Sequence, residues 1–95
     1  MVNVIIMLKT VPGHERRVHA ALRGLSGINR MYILFGDFDL LLDVQVEGLL
    51  ALNGLVDTVR EVEGVVATRT ILAPRLREVR PPRNGGLMNL GSPIG

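Results

Sequence analysis

An α+β fold of order β-α-β-β-α-β is predicted by three observations in this 95-residue sequence. Four short runs are rich in β-branched and aliphatic residues, with the spacing of strands. Two stretches between them carry apolar residues at helical intervals, bounded by Pro and Gly. The middle two strands are joined through Gly36-Asp37-Phe38-Asp39, which reads as a hairpin turn.

The first strand is Val2-Asn3-Val4-Ile5-Ile6-Met7-Leu8-Lys9. Val2, Val4, Ile6 and Leu8 fill one face, yet Ile5 and Met7 on the other are apolar too. A strand apolar on both sides belongs in the middle of a sheet whose two faces are both covered. Two helices can cover one face, so the second cover is expected from another subunit. Thr10-Val11-Pro12-Gly13 breaks the strand. A helix is predicted from His14 to Arg23, with Val18, Ala21, Leu22 and Leu25 inward and Glu15 at the positive end of its dipole. Gly24 and Gly27 end it.

From Ile28 to Val46 the two hairpin strands follow, and Leu40, Leu42, Val44 and Val46 commit one face to a core. A second helix, from about Leu49 to Val62, turns Leu52, Leu55, Val56, Val59 and Val62 inward. Glu63-Gly64 ends it, Val65 to Leu72 is the last strand, and Pro74 stops that. Leu25-Ser26-Gly27-Ile28 and Val62-Glu63-Gly64-Val65 each lead from a helix through Gly into a strand, a weak internal repeat. Right-handed crossovers fold this order into a four-stranded antiparallel sheet with both helices on one face. That is the ferredoxin-like split βαβ, also the unit of dimeric α+β barrels. Residues 1–73 are expected to form one domain, followed by a Pro/Gly/Arg-rich tail over 74–95.

Composition narrows the partners. A domain of this size buries roughly 60% of its unfolded surface. With no cysteine there is neither a disulfide nor a thiolate metal site to reinforce it. Oligomerisation is the remaining support. The tail holds Arg75, Arg77, Arg80 and Arg83 against Glu78, a charge of +3, and the net charge of +2 leaves −1 for the rest. The pI of about 9.9 therefore describes the tail, and a nucleic-acid partner inferred from it would rest on the tail alone. No apolar run reaches transmembrane length and no secretory leader opens the chain, so a cytoplasmic protein without membrane contact is expected.

Few residues carry chemistry. No nucleophile-base pairing has supporting context, and no Gly-rich phosphate loop follows a strand, so no catalytic residue is assigned. His14 and His19 lie about 140° apart around a helix and share no face for a metal, so both read as solvated helix residues. Neither a metal nor a cofactor is expected. Asp37 and Asp39 shape a turn and cap the returning strand, or they face a ligand; two carboxylates alone are few for a hard cation. Thr68 and Thr70 flank Arg69 and point to one side of the last strand, where two hydroxyls suit either a polar ligand or an ordinary strand.

Taken together, VNVIIMLKT, VPGHERRV, SGINRMYILFGDFDLLLDVQV and EVEGVVATRTIL resemble the effector-binding (RAM) domain of the Lrp/AsnC family of transcriptional regulators. The resemblance spans Val2 to about Leu72. Gly36-Asp37-Phe38-Asp39 is its most specific element, supported by Val11-Pro12-Gly13, Gly64-Val65 and Thr68-Arg69-Thr70. It implies a domain that dimerises through its sheet, with dimers assembling into octamers, and that binds amino acids or related small metabolites near the hairpin turn. Carried over residue by residue, the implied ligand positions are Gly36, Asp37, Phe38, Asp39, Thr68 and Thr70. Full-length family members carry an N-terminal helix-turn-helix, whereas this sequence opens on a strand. The resemblance is thus to the stand-alone form, with no direct DNA binding and with full-length Lrp/AsnC paralogues as candidate partners. The alternative is a small dimeric α+β barrel enzyme, monooxygenase- or isomerase-like. An aromatic content of 3%, no Trp, and two His confined to the first helical stretch supply little for such a site, so a non-enzyme is expected.

Overall fold

The structure of the chain, a computed structural model, describes residues 1–72. The predicted tail, residues 74–95, lies outside the described residues. Six elements follow in the expected order: β1 (Val2–Thr10), α1 (Glu15–Arg23), β2 (Ile28–Ile33), β3 (Leu40–Val46), α2 (Leu49–Arg60) and β4 (Val65–Leu72). They build one four-stranded sheet, ordered β2-β3-β1-β4, in which every neighbouring pair is antiparallel. This is the ferredoxin-like βαββαβ arrangement predicted.

Strand alternation decides which side of the sheet becomes the core. Val4, Ile6 and Leu8 of β1 stand opposite Val44, Leu42 and Leu40 of β3, and all six are buried. Val18 and Leu22 of α1 and Leu52 and Val59 of α2 close over them, with Leu25, Leu55, Val56 and Val62 packed at the margin. Full burial of such a side chain contributes about 1.5–3 kcal/mol, so this layer holds the fold. Ala21, predicted to face inward, is exposed. It lies about 80° around α1 from the Val18–Leu22 line, which the short helix sets against the sheet.

Both helices return to the sheet through a glycine at positive φ, Gly27 at +94° and Gly64 at +101°. At Gly64 space decides as well as conformation: a Cβ there would stand 2.9 Å from both His14 Cβ and Val18 Cγ2. The Gly64 carbonyl accepts the Val11 N–H at 2.8 Å, pinning the β1–α1 turn against the α2–β4 turn. His14, predicted as solvated, is therefore half-buried, and its Nδ1 is enclosed without a hydrogen-bond partner. The close approach of two turns overrides the polarity of the residue.

The sheet's second face carries Ile5, Met7 and Leu41, all half-buried, and no described element lies over them. Tyr32 and Ile71 flank this strip at 46% and 45% exposure. Arg30 and Asp43 stand opposite one another on the same face. The neighbouring Tyr32 side chain and then the Asp43 charge raise the Arg30 guanidinium above its ordinary pKa, which leaves it a fixed cation.

Candidate functional site around the β2–β3 loop

The connection from β2 to β3 is six residues long, Leu34 to Asp39, and the Leu34 N–H closes it on the Asp39 carbonyl at 2.9 Å. Gly36 takes φ +139°, a conformation that L side chains rarely adopt, and it turns the chain at the tip. Gly36 and Asp37 are exposed. Phe35 precedes them at 99% exposure, so its ring touches almost nothing among the described residues.

Asp39 belongs to the sheet rather than to the tip. Its N–H donates to the Leu8 carbonyl at 2.7 Å. Its Oδ2 accepts the Thr10 N–H at 2.7 Å and the Thr10 hydroxyl at 3.1 Å. Thr10 is 4% exposed, and this carboxylate satisfies its polar groups. Hydrogen bonds to a charged group contribute about 1.5–3 kcal/mol, more than the ordinary ~1 kcal/mol. The capping role read for Asp39 from the turn is the one its contacts support. Oδ1 makes no hydrogen bond among the described residues.

Phe38 approaches the open side of the sheet, where the Arg69 guanidinium carbon lies 5.7 Å from its ring centroid, within cation–π range. Thr68 and Thr70 take the other side, because they pair with the core residues Leu8 and Ile6. Arg60 of α2 donates its Nε–H to Thr68 Oγ1 at 3.3 Å. β1 runs between Asp39 and Thr68, a separation of two strand spacings or about 10 Å. The structure gathers Gly36, Asp37, Phe38 and Asp39 in one loop and Thr68 with Thr70 on one strand face. Within a single chain it does not bring the two groups together.

Three residues escaped the sequence reading. Thr10 had been read as a strand breaker, and only the three-dimensional return of the hairpin reveals its bond to Asp39. Arg60, itself exposed, has no sequence signal for its contact with Thr68. Arg69 carried a signal: standing between two threonines of one face, it had to face the opposite side and so meet Phe38. Among the described residues no three His, Asp or Glu gather to hold a metal, and no described helix is long and apolar enough to cross a membrane.

The chain is thus a ferredoxin-like domain with one apolar sheet face uncovered among the described residues and a loop anchored at the end of its central strand. The sequence model of the Lrp/AsnC ligand binding domain matches residues 3–80, and the chain belongs to that family. The structure FFRP-DM1 aligns with a TM-score of 0.72 at 27% identity, covering 77% of this chain and 99% of its own. The hypothetical protein PHS023 of Pyrococcus horikoshii aligns at 0.70 and 27% identity, covering 77% and 89%. The transcriptional regulator NMB0573 of Neisseria meningitidis, solved as a complex with L-Met, aligns at 0.73 and 19% identity. At that identity it shows the shared fold, over 86% of this chain and 54% of the regulator. No curated protein matches the sequence significantly.

Proposed function

We propose that the chain is a stand-alone effector-binding and oligomerisation module of the Lrp/AsnC type, whose effector is an amino acid or a related small metabolite. The observation that carries this reading is the family match over residues 3–80. The Neisseria regulator, solved with L-Met, supports the amino-acid class. The effector meets the loop at Gly36, Asp37, Phe38 and Asp39, where backbone N–H groups suit a carboxylate and a carboxylate suits an ammonium group. Thr68 and Thr70 complete the site from a neighbouring chain, an arrangement favoured by their separation from the loop within one chain.

The proposed homodimer covers Ile5, Met7 and Leu41 with the same face of a second copy, and dimers assemble further, up to an octamer. The module works in the cytoplasm on protein partners, full-length Lrp/AsnC paralogues among them, rather than by contacting an operator itself. FFRP-DM1 and PHS023, matched over 99% and 89% of their lengths, are chains of similar extent. No catalytic step is assigned to it.

Thermal shift and light scattering against the twenty amino acids test this. A ligand at a hundredfold excess over its Kd stabilises the folded state by about 2.7 kcal/mol, an unmistakable rise in Tm. A change in particle mass at the same ligand concentration is expected with it, because an effector acts by favouring one assembly over another. Flat melting curves and unchanged mass across all twenty would overturn the amino-acid reading. Co-purification from native extract tests the paralogue partners, and a complex holding this chain alone argues against them.

A further inference from the structure

A concavity lies between α1 and the edge strand β2, with a volume of about 380 Å³. Its floor is apolar: Ile33 and Leu40 below and Ala20 of α1 beside them. Ile33 is 75% exposed, a large aliphatic side chain open to solvent on a helix-covered face. Recognition pockets commonly join an apolar lining of this kind to a few convergent polar groups.

The polar groups here are unequally committed. Glu15 and Asp39 line one end, and each has one carboxylate oxygen engaged by the chain. Glu15 Oε1 accepts the Gly13 N–H at 3.0 Å, and Asp39 Oδ2 accepts the two Thr10 donors. Arg16 and Arg23 line the groove without acidic partners: the one ion pair among the described residues joins Arg17 to Glu63. His19 Nδ1 lies 3.3 Å from Arg23 Nη2. Arginine is only a donor, so in this contact the imidazole Nδ1 is the acceptor. The Arg23 end of the groove thus offers a cation without an acidic partner among the described residues, beside an aliphatic floor.

We propose that this groove binds a small apolar carboxylate, with Arg23, positioned by His19, receiving the carboxylate and Ile33, Leu40 and Ala20 the aliphatic part. Arginine presents its donors in the planar fork that matches a carboxylate. A zwitterion gains little more. Glu15 and Arg23 sit at opposite ends of α1, about 12 Å apart along its axis, while an amino acid's two charges are separated by one carbon. The ammonium of an amino acid whose carboxylate is held at Arg23 would therefore lie away from Glu15. The groove borders the loop at Asp39 but lies apart from its tip and from Thr68 and Thr70, and it does not depend on the effector reading.

Calorimetric titration of the full chain with 4-methylpentanoate, its uncharged analogue 4-methylpentanamide and leucine tests the proposal, with amide chemical shifts locating each ligand. The carboxylate is expected to bind at least tenfold more tightly than the amide and to shift resonances of α1 and β2. Arg23→Gln and Ile33→Ser, both at exposed positions and so compatible with folding, are each expected to weaken it at least fivefold. Equal binding of acid and amide, no binding of either, or variants that bind like the parent would overturn the site. Leucine bound at residues 36–39 and indifferent to both variants would uphold the effector reading, and without 4-methylpentanoate binding it would sink the groove.

Discussion

Replacing Gly64 with alanine is expected to cost the domain roughly 2–5 kcal/mol, through two separable terms. The first is conformational: at φ +101° an L residue pays about 1–2 kcal/mol that glycine does not. The second is steric. The added methyl carbon would lie 2.9 Å from His14 Cβ, 2.9 Å from Val18 Cγ2 and 3.1 Å from His14 Nδ1, against about 3.5–4.0 Å for relaxed carbon contacts. Val18 has no exposed surface and is stiff at χ1, so relief must come from moving α1 off the sheet, an overpacking cost of about 1–3 kcal/mol. Native domains hold about 5–15 kcal/mol in all, so the variant loses a large share. Urea unfolding followed by circular dichroism, at one fixed protomer concentration, measures the cost. Trimming the clash with Val18→Ala in the Gly64→Ala background should recover part of it, a coupling of at least about 0.5 kcal/mol. A loss below about 1 kcal/mol, or strict additivity of the two substitutions, would refute the packing argument.

Three further outcomes follow from the same structure. Gly54→Ala, in the interior of α2 where an added Cβ meets nothing within 4 Å, should raise stability by about 0.5–1 kcal/mol, read as a higher urea midpoint. Asp39→Ala should lower stability by about 1.5–3 kcal/mol by stranding the buried Thr10, whereas Asp37→Ala, at the exposed tip, should stay within about 0.5 kcal/mol. Comparing ligand affinity at the two then separates a binding role from a structural one. Ile5→Lys, in the middle of the uncovered apolar strip, should dissociate the proposed sheet-face dimer, and an unchanged mass by light scattering would place the subunit contact elsewhere.

The fold was legible because each of its decisions is local. Period two in β1 and β3 determines the buried face, and Leu52 and Val59 at helical spacing determine how α2 sits. The Gly27 and Gly64 echo marks two equivalent returns to the sheet, which both glycines make at positive φ. What escaped is what depends on pairs distant in sequence. Nothing local to His14 announces that Gly64 will press against it, and nothing local to Thr10 announces that Asp39 will bond to it across 29 positions. The candidate site divides the same way. Its loop is contiguous and was visible, but the strand-pairing register that sets Thr68 and Thr70 on the helix side, away from Phe38, follows from how β4 meets β1.

That division bears on how a loop of this kind could govern association. One end is rigid: the Asp39 N–H and carboxylate hold it to Leu8 and Thr10 by three hydrogen bonds. The tip at Gly36 and Asp37 is exposed and makes no side-chain hydrogen bond to the described residues. Between them, Phe38 touches Arg69, whose neighbour Met7 lies in the apolar strip that the proposed dimer covers. A ligand seated at the tip therefore has a route of two contacts to that strip, through one cation–π pair of about 0.5–1 kcal/mol at an exposed site. Such a coupling shifts an assembly equilibrium severalfold rather than by orders of magnitude, which favours a graded response over an all-or-none switch. Arg69→Gln, which removes the cation and leaves the loop residues in place, should leave ligand affinity nearly unchanged while uncoupling it from particle mass. An effector that still changes the mass in that variant would show that the signal travels by another path.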